Sequence, residues 1–282
     1  MRRGTLTPYL LIAPATVFLC VLFIVPLGQT VALAFRAGGS FSFGNFAGMA
    51  GDIDFNDAII DTVEVIVLAV PLQLALGLGM AMMLRHLRHG RDLVMWVWSI
   101  PLGISDLAAG LVWLAIVTDR GYLNTLLFHL GIIDSPQSWL TYETPATLLV
   151  AIVAEEVWRA TAIVLVILAA GLQLVPKEYA EAAEVFGATP WQRFIRVTLP
   201  LLRPSIQTAL ILRTVLAFEM FATVLALGGR NFPVLMSQTF NAQYLQQDYG
   251  VAAAYAVLVM VASLGATLVY LRLLRTPAEQ VP

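Results

Sequence analysis

Charge is what this sequence has least of. Asp, Glu, Lys and Arg together make up 12% of its 282 residues, against roughly 25% in soluble domains. So few charges cannot clothe a water-exposed surface. Neither sign dominates, with 16 basic and 18 acidic residues giving a net charge of -2, so no basic surplus exists to neutralise a phosphate backbone and nucleic acid is excluded as a partner. The single cysteine, Cys20, rules out an intrachain disulfide and a cysteine-held metal cluster; inside an apolar run it reads as a small hydrophobe facing lipid or another helix. No G-x-x-x-x-G-K-[ST] run occurs, so the chain has no P-loop cradle for ATP. G-x-S-x-G, H-E-x-x-H and a carboxylate pair beside a nucleophile are missing as well, which argues against an intramembrane enzyme. His86 and His89 are three apart, but no third ligand lies near them in sequence. They read as interfacial polar residues beside a helix end, His129 falls in an outer loop, and no metal site is expected.

What the sequence has in abundance is apolar surface, with 59% hydrophobic residues and a mean hydropathy of +0.82. Disorder, collagen and coiled coil are excluded with it. A helix crosses a bilayer with about 20 mostly apolar residues, and six runs meet that length: 9–35, 58–84, 93–117, 145–172, 202–228 and 251–271. The breaks between them carry loop chemistry, among them Gly38-Gly39-Ser40, the acids Asp52, Asp54 and Asp57, the basic stretch 85–91, and Asp134-Ser135-Pro136. Arg2 and Arg3 before the first run and Ala32-Leu33-Ala34 near its end resemble a cleavable secretory signal. The run is far longer than the roughly 7–15 apolar residues of such a signal, so a retained helix is expected. The expected fold is all-α, a polytopic membrane bundle of six transmembrane helices.

Basic residues in short loops set the orientation. With a cytoplasmic N terminus the inside holds Arg2, Arg3, Arg85, Arg88, Arg91, Lys177, Arg193, Arg196, Arg203, Arg272 and Arg275, and the outside only Arg36, Arg120 and Arg230. Eleven against three predicts both termini inside. Outer loops then span 36–57, 118–144 and 229–250, and one long inner loop spans 173–201.

That inner loop begins at Pro176, which can open a helix, and continues through alanines and glutamates whose acidic groups suit the N-terminal dipole. Gly187 supplies a stop and Pro190 a second start. Within it stands Glu181-Ala182-Ala183, three residues, Gly187, nine residues, and Val197-Thr198-Leu199-Pro200. This resembles the EAA signature of permease subunits of bacterial ATP-binding-cassette importers, E-A-A-x3-G-x9-I-x-L-P, departing only at Val197. The likeness extends to Glu156-Val157-Trp158-Arg159, Ala170-Gly171-Leu172, Val175-Pro176, Arg213-Thr214, Ala217-Phe218, Leu227-Gly228-Gly229 and Pro26, and so covers essentially the whole chain. Those residues resemble the carbohydrate branch, the maltose- and trehalose-type permeases.

The resemblance implies a single transmembrane domain over 1–282, in the bacterial inner membrane, whose 173–201 loop is the cytoplasmic coupling element. Tyr179, Glu181, Ala182, Ala183, Phe186 and Gly187 would meet the ATPase, an amphipathic helix passing rigid-body shifts to the spans. Without a docked partner the same helix would simply cap the bundle. The implied partners are a second, homologous permease, two ATPase subunits holding ATP and Mg, an extracytoplasmic binding protein and the sugar; this chain itself needs no cofactor. Charges inside spans are costly and face a bundle interior or a watery cavity, and here they are Glu64, Asp106, Glu155, Glu156, Arg159, Arg213 and Glu219. Glu155 and Arg159 share a helix face. Glu156, Trp158, Arg159, Arg213 and Glu219 fit either a sugar pathway at mid-membrane or a set of ion pairs that locks the helices together. Glycerol-3-phosphate or another polar solute is an alternative substrate. A self-sufficient secondary transporter is a further alternative, although no internal repeat of the kind common in such proteins is visible.

Overall fold

Apolarity and length decide which segments can cross a bilayer, and proline, glycine and serine mark several of the places where those segments bend. The structure, a computed structural model, describes residues 7–87 and 89–274. Arg2, Arg3, Arg88 and Arg275, counted above for orientation, lie outside them. By length and composition four described helical stretches suffice to span a membrane, Tyr9–Ala34, Phe55–Arg85, Pro145–Leu174 and Tyr249–Leu273, and two bent helix pairs bring the number to six. The chain divides into two compact units, one built from residues up to Asn56 together with Gln238–Met260, the other from Asp57–Ser237 and the residues after Met260.

In the first unit, α1 (Thr7–Leu19) passes through a wide turn at Cys20–Ile24 into α2 (Val25–Ala34). The Val25 N–H reaches back five residues to the Cys20 carbonyl, immediately before Pro26, whose missing N–H interrupts the ladder in any case. A two-stranded hairpin follows, β1 (Arg36–Ala37) antiparallel to β2 (Ser40–Phe41), joined by Gly38-Gly39. Then comes α3 (Gly44–Ala50). Asn45 ties this corner together, its amide donating to the carbonyls of Leu33, Ala34 and Arg36 at 3.0, 3.2 and 2.9 Å. Ala34, Ala253 and Val257 form this unit's apolar centre.

The second unit begins with α4 (Phe55–His86), the longest helix described. The third run was expected as one span over 93–117. It is instead two arms at 95°: α5 (Arg91–Ser99), a tight turn at Ile100–Gly103, then α6 (Asp106–Val117) and α7 (Tyr122–His129). Pro101 and Gly103 end the first arm, and Ser105 restarts the helix by accepting from the Ala108 N–H at 3.3 Å. Next is α8 (Pro145–Leu174), unbroken over 30 residues. The inner loop holds α9 (Lys177–Val185), α10 (Pro190–Arg193), a wide turn at Phe194–Thr198 and α11 (Leu199–Leu201). It bends by 66° into α12 (Arg203–Phe218), with Pro200 and Pro204 on either side of the bend. The fifth run, expected as one helix over 202–228, breaks again at residues 219–221 before α13 (Ala222–Leu227), and neither proline nor glycine marks this break. The last helices are α14 (Leu235–Phe240) and α15 (Tyr249–Leu273), separated by a wide turn at Asn241–Leu245.

Three apolar clusters lie in the second unit among the described residues. One gathers Val65, Ala69, Ile152, Val157, Met220 and Val224, another gathers Ala81, Leu84, Leu165, Leu168, Ile206 and Ala209, and a small one gathers Ile66, Val70 and Ala217. Buried polar residues stand on the same helices: Gln73 on α4, Glu155 and Glu156 on α8, and Arg213 on α12. Close approach of α6 and α13 depends on Gly110, where an added Cβ would stand 2.7 Å from that of Ala226.

Candidate functional site

Polar side chains of α4, α6, α8 and α12 form a continuous ion cluster. Arg159 Nη1 lies 2.9 Å from Asp106, Nε donates to Glu155 at 3.1 Å, and Nη2 donates to Glu156 at 2.5 Å. The other oxygen of Glu156 accepts from Arg213 Nη2 at 2.8 Å. Arg213 Nε donates to the Gln73 side-chain oxygen at 2.8 Å, and the Gln73 amide donates to the Glu156 backbone carbonyl at 2.9 Å. Helical spacing produces half of this: offsets of three and four from Arg159 place both glutamates on its face. Long-range packing supplies the rest. Gln73, Glu155, Glu156 and Arg213 are buried, the Arg159 side chain is 13% exposed, and that of Asp106 is 55% exposed, so the cluster runs from a dry end to a wet one. Trp158, the neighbour of Arg159 in sequence, is half-buried, with its ring 6.2 Å from that of Trp113. Three carboxylates face two guanidiniums here, an arrangement that accepts hydroxyl hydrogen bonds more readily than an anion.

The second candidate element is the elbow made by α9 and α10. Its acidic helix stops where Gly187 adopts φ +82°, a left-handed conformation that a side chain disfavours. The N–H groups of Gly187 and Ala188 turn back to the carbonyls of Glu184 and Ala183 at 2.8 and 3.0 Å, satisfying orphan groups of the helix end. Two residues later Thr189 and Gln192 exchange side-chain and backbone bonds at 3.3 and 2.9 Å, a capping box that starts α10. Arg193 pairs with Glu184 across the corner. Apolar side chains on this rigid elbow face outward: Tyr179 is 57% exposed, Val185 85%, Phe186 90% and Trp191 68%. Glu181 and Ala182 are exposed too, and Ala183 is half-buried. Exposure on this scale at one corner marks a surface made to be covered.

Comparison with known proteins decides the family. Residues 73–276 match the model of the binding-protein-dependent transport system inner membrane component. The chain belongs to that family. It is 31% identical, over 94% of its length and 92% of the other, to a trehalose/maltose transport system permease protein of Thermococcus litoralis. It is also 31% identical, over 79% of its length and 73% of the other, to a trehalose transport system permease protein of Mycobacterium tuberculosis. Its fold is similar to that of a chain in a bacterial importer of the acidic polysaccharide alginate, with a TM-score of 0.83 at 19% identity and 95% of each chain covered.

Within this permease family framework, the residues singled out from the sequence fall into three groups. Glu156, Arg159 and Arg213 are brought together, as depth along the helices predicts. Trp158 is adjacent to them but packs on Trp113. Glu219 is not brought in: it caps the end of α12, exposed, with no ion pair among the described residues. Six residues beyond Arg213, it would fall on a different face of α12 even if the helix ran on unbroken. Sequence reasoning missed Gln73 and the role of Asp106. Asp106 carries a legible signal, a carboxylate directly after a Ser N-cap within an apolar run, whereas an isolated glutamine inside α4 carries none.

Proposed function

We propose that this chain is one permease half of a sugar importer, paired with a second, homologous permease, fed by an extracytoplasmic binding protein and driven by two separate ATPase subunits that hold ATP and Mg. The observation that carries this reading is the α9–α10 elbow, which has the EAA spacing, a left-handed Gly187 and an outward row of aromatic and apolar side chains. Tyr179, Glu181, Ala182, Ala183, Phe186 and Gly187 would enter a groove on the ATPase. The chain itself has no phosphate-binding loop and works without a cofactor. Orientation by the positive-inside rule puts the elbow and both termini in the cytoplasm.

A neutral di- or oligosaccharide of the trehalose or maltose kind is the proposed substrate. The names of the relatives support it, and so does the excess of carboxylates over guanidiniums in the ion cluster, which disfavours glycerol-3-phosphate. The wet end of the cluster, Asp106 and Arg159, offers hydrogen-bond partners to a sugar, and Trp158 offers an aromatic plane. The dry end, Glu156 with Arg213, holds the helices in register, while Glu219 faces away from both. The deciding experiment reconstitutes the whole importer in vesicles and follows ATP-dependent uptake of labelled trehalose and maltose. Uptake of neither, with robust uptake of glycerol-3-phosphate, would overturn the assignment.

A further inference from the structure

A cavity opens where the last turn of α4, the first turn of α5 and the junction of α8 with α9 meet. Arg85, Arg91 and Lys177 line it together with Gln173, and among the described residues Glu178 is the only acid on its wall. None of the three cations forms an ion pair among the described residues. Two helices start at this cavity, α5 at Arg91 and α9 at Lys177, and neither has a side-chain cap. Two positive dipole ends therefore add to three positive side chains in one concave space, and such a space attracts an anion with several acceptor oxygens.

The surroundings point to the source of that anion. Leu93 and Trp96, on the helix that begins with Arg91, are 64% and 66% exposed, and Leu174, beside Gln173, is 79% exposed. Apolar side chains so close to a cationic pocket suit acyl chains rather than water. We propose that this cavity binds the phosphate headgroup of an anionic phospholipid from the cytoplasmic leaflet, with Arg85, Arg91 and Lys177 around the phosphate and the tails along Leu93, Trp96 and Leu174. The choice of leaflet rests on the orientation proposed above; the choice of ligand does not.

The test is native mass spectrometry of the complete detergent-purified importer offered phosphatidylglycerol, phosphatidylcholine or inorganic phosphate. The wild type should retain phosphatidylglycerol over phosphatidylcholine. Arg85→Gln/Arg91→Gln/Lys177→Gln should lower that retention several-fold, and Arg85→Lys/Arg91→Lys should preserve it. Should the triple variant fail to assemble, the single variants Arg91→Gln and Lys177→Gln are each expected to show a partial loss. Equal retention by wild type and variants would overturn the proposal, as would displacement of the lipid by millimolar phosphate or its exclusion whenever the ATPases are bound. Accessibility of a cysteine placed at His89, in protein freed of Cys20, reads orientation separately. Labelling from outside would move the leaflet and leave the lipid result standing.

Discussion

Glu156 and Arg213 lie 57 positions apart in the chain and meet at 2.8 Å, each side chain 3% exposed. Neither charge has water to fall back on. Removing Glu156 leaves the Arg213 charge buried with only the neutral Gln73 beside it, at a cost of about 3–5 kcal/mol, whereas removing Arg213 leaves Glu156 its pairing with Arg159 and costs less. Glu156→Gln and Arg213→Met should each lower the melting temperature of the purified importer, and Glu156→Gln/Arg213→Met should recover part of the loss. Thermal unfolding of all three checks this, and a double variant as unstable as the sum of the singles would refute the lock.

Trp158 makes a different prediction, because it is only half-buried and packs on another ring. Trp158→Ala should slow sugar uptake in vesicles while basal ATP hydrolysis persists and the melting point moves little. Uptake at the wild-type rate would remove Trp158 from the pathway.

At the elbow, Gly187→Ala forces a side chain into left-handed backbone at roughly 1–2 kcal/mol. The bundle should still assemble, since the corner is at the surface. Coupling should suffer: binding-protein-stimulated ATP hydrolysis is expected to fall with Gly187→Ala and to fall less with Gly187→Asn, asparagine being more tolerant of that conformation. Phe186→Asp, which puts a charge where 90% of an aromatic residue is exposed, should reduce recovery of the ATPase with the permease. Undiminished recovery would mean that the elbow is not the docking surface.

Topology is open to cysteine scanning once Cys20 is replaced. Reagent added from outside should label cysteines placed at Gly51, Ser135 and Gln246 and miss one placed at Thr189. Outer labelling at Thr189 would invert the orientation and detach the elbow from the ATPase side.

The sequence made the long helices legible because an unbroken apolar run of bilayer length has few other fates; α4, α8 and α15 begin and end within a few residues of the expected runs. It also made the elbow legible, through a glycine and two prolines acting over short range. The bends were harder. Pro101 and Gly103 sit inside a run that hydropathy reads as continuous, and the change of direction depends on Ser105 restarting the helix. The break at residues 219–221 has no local signature at all, and Glu219 does not share the helix face of Arg213, six residues being about two-thirds of a turn out of phase. The pairing of Arg159 with its two glutamates follows from helical period alone, while Gln73 joins the cluster through a contact 140 positions distant in sequence from Arg213, beyond the reach of any periodicity.

The unbroken length of α8 has a mechanical consequence. Thirty residues rise roughly 45 Å, against a hydrocarbon core of about 30 Å, so one stiff rod joins the elbow to the ion cluster. From Leu174 to Glu156 it covers about 27 Å. A tilt of about four degrees at one end of such a lever displaces the other by roughly 2 Å, enough to part an ion pair, and a rotation that small could open or close the path without unfolding a single turn.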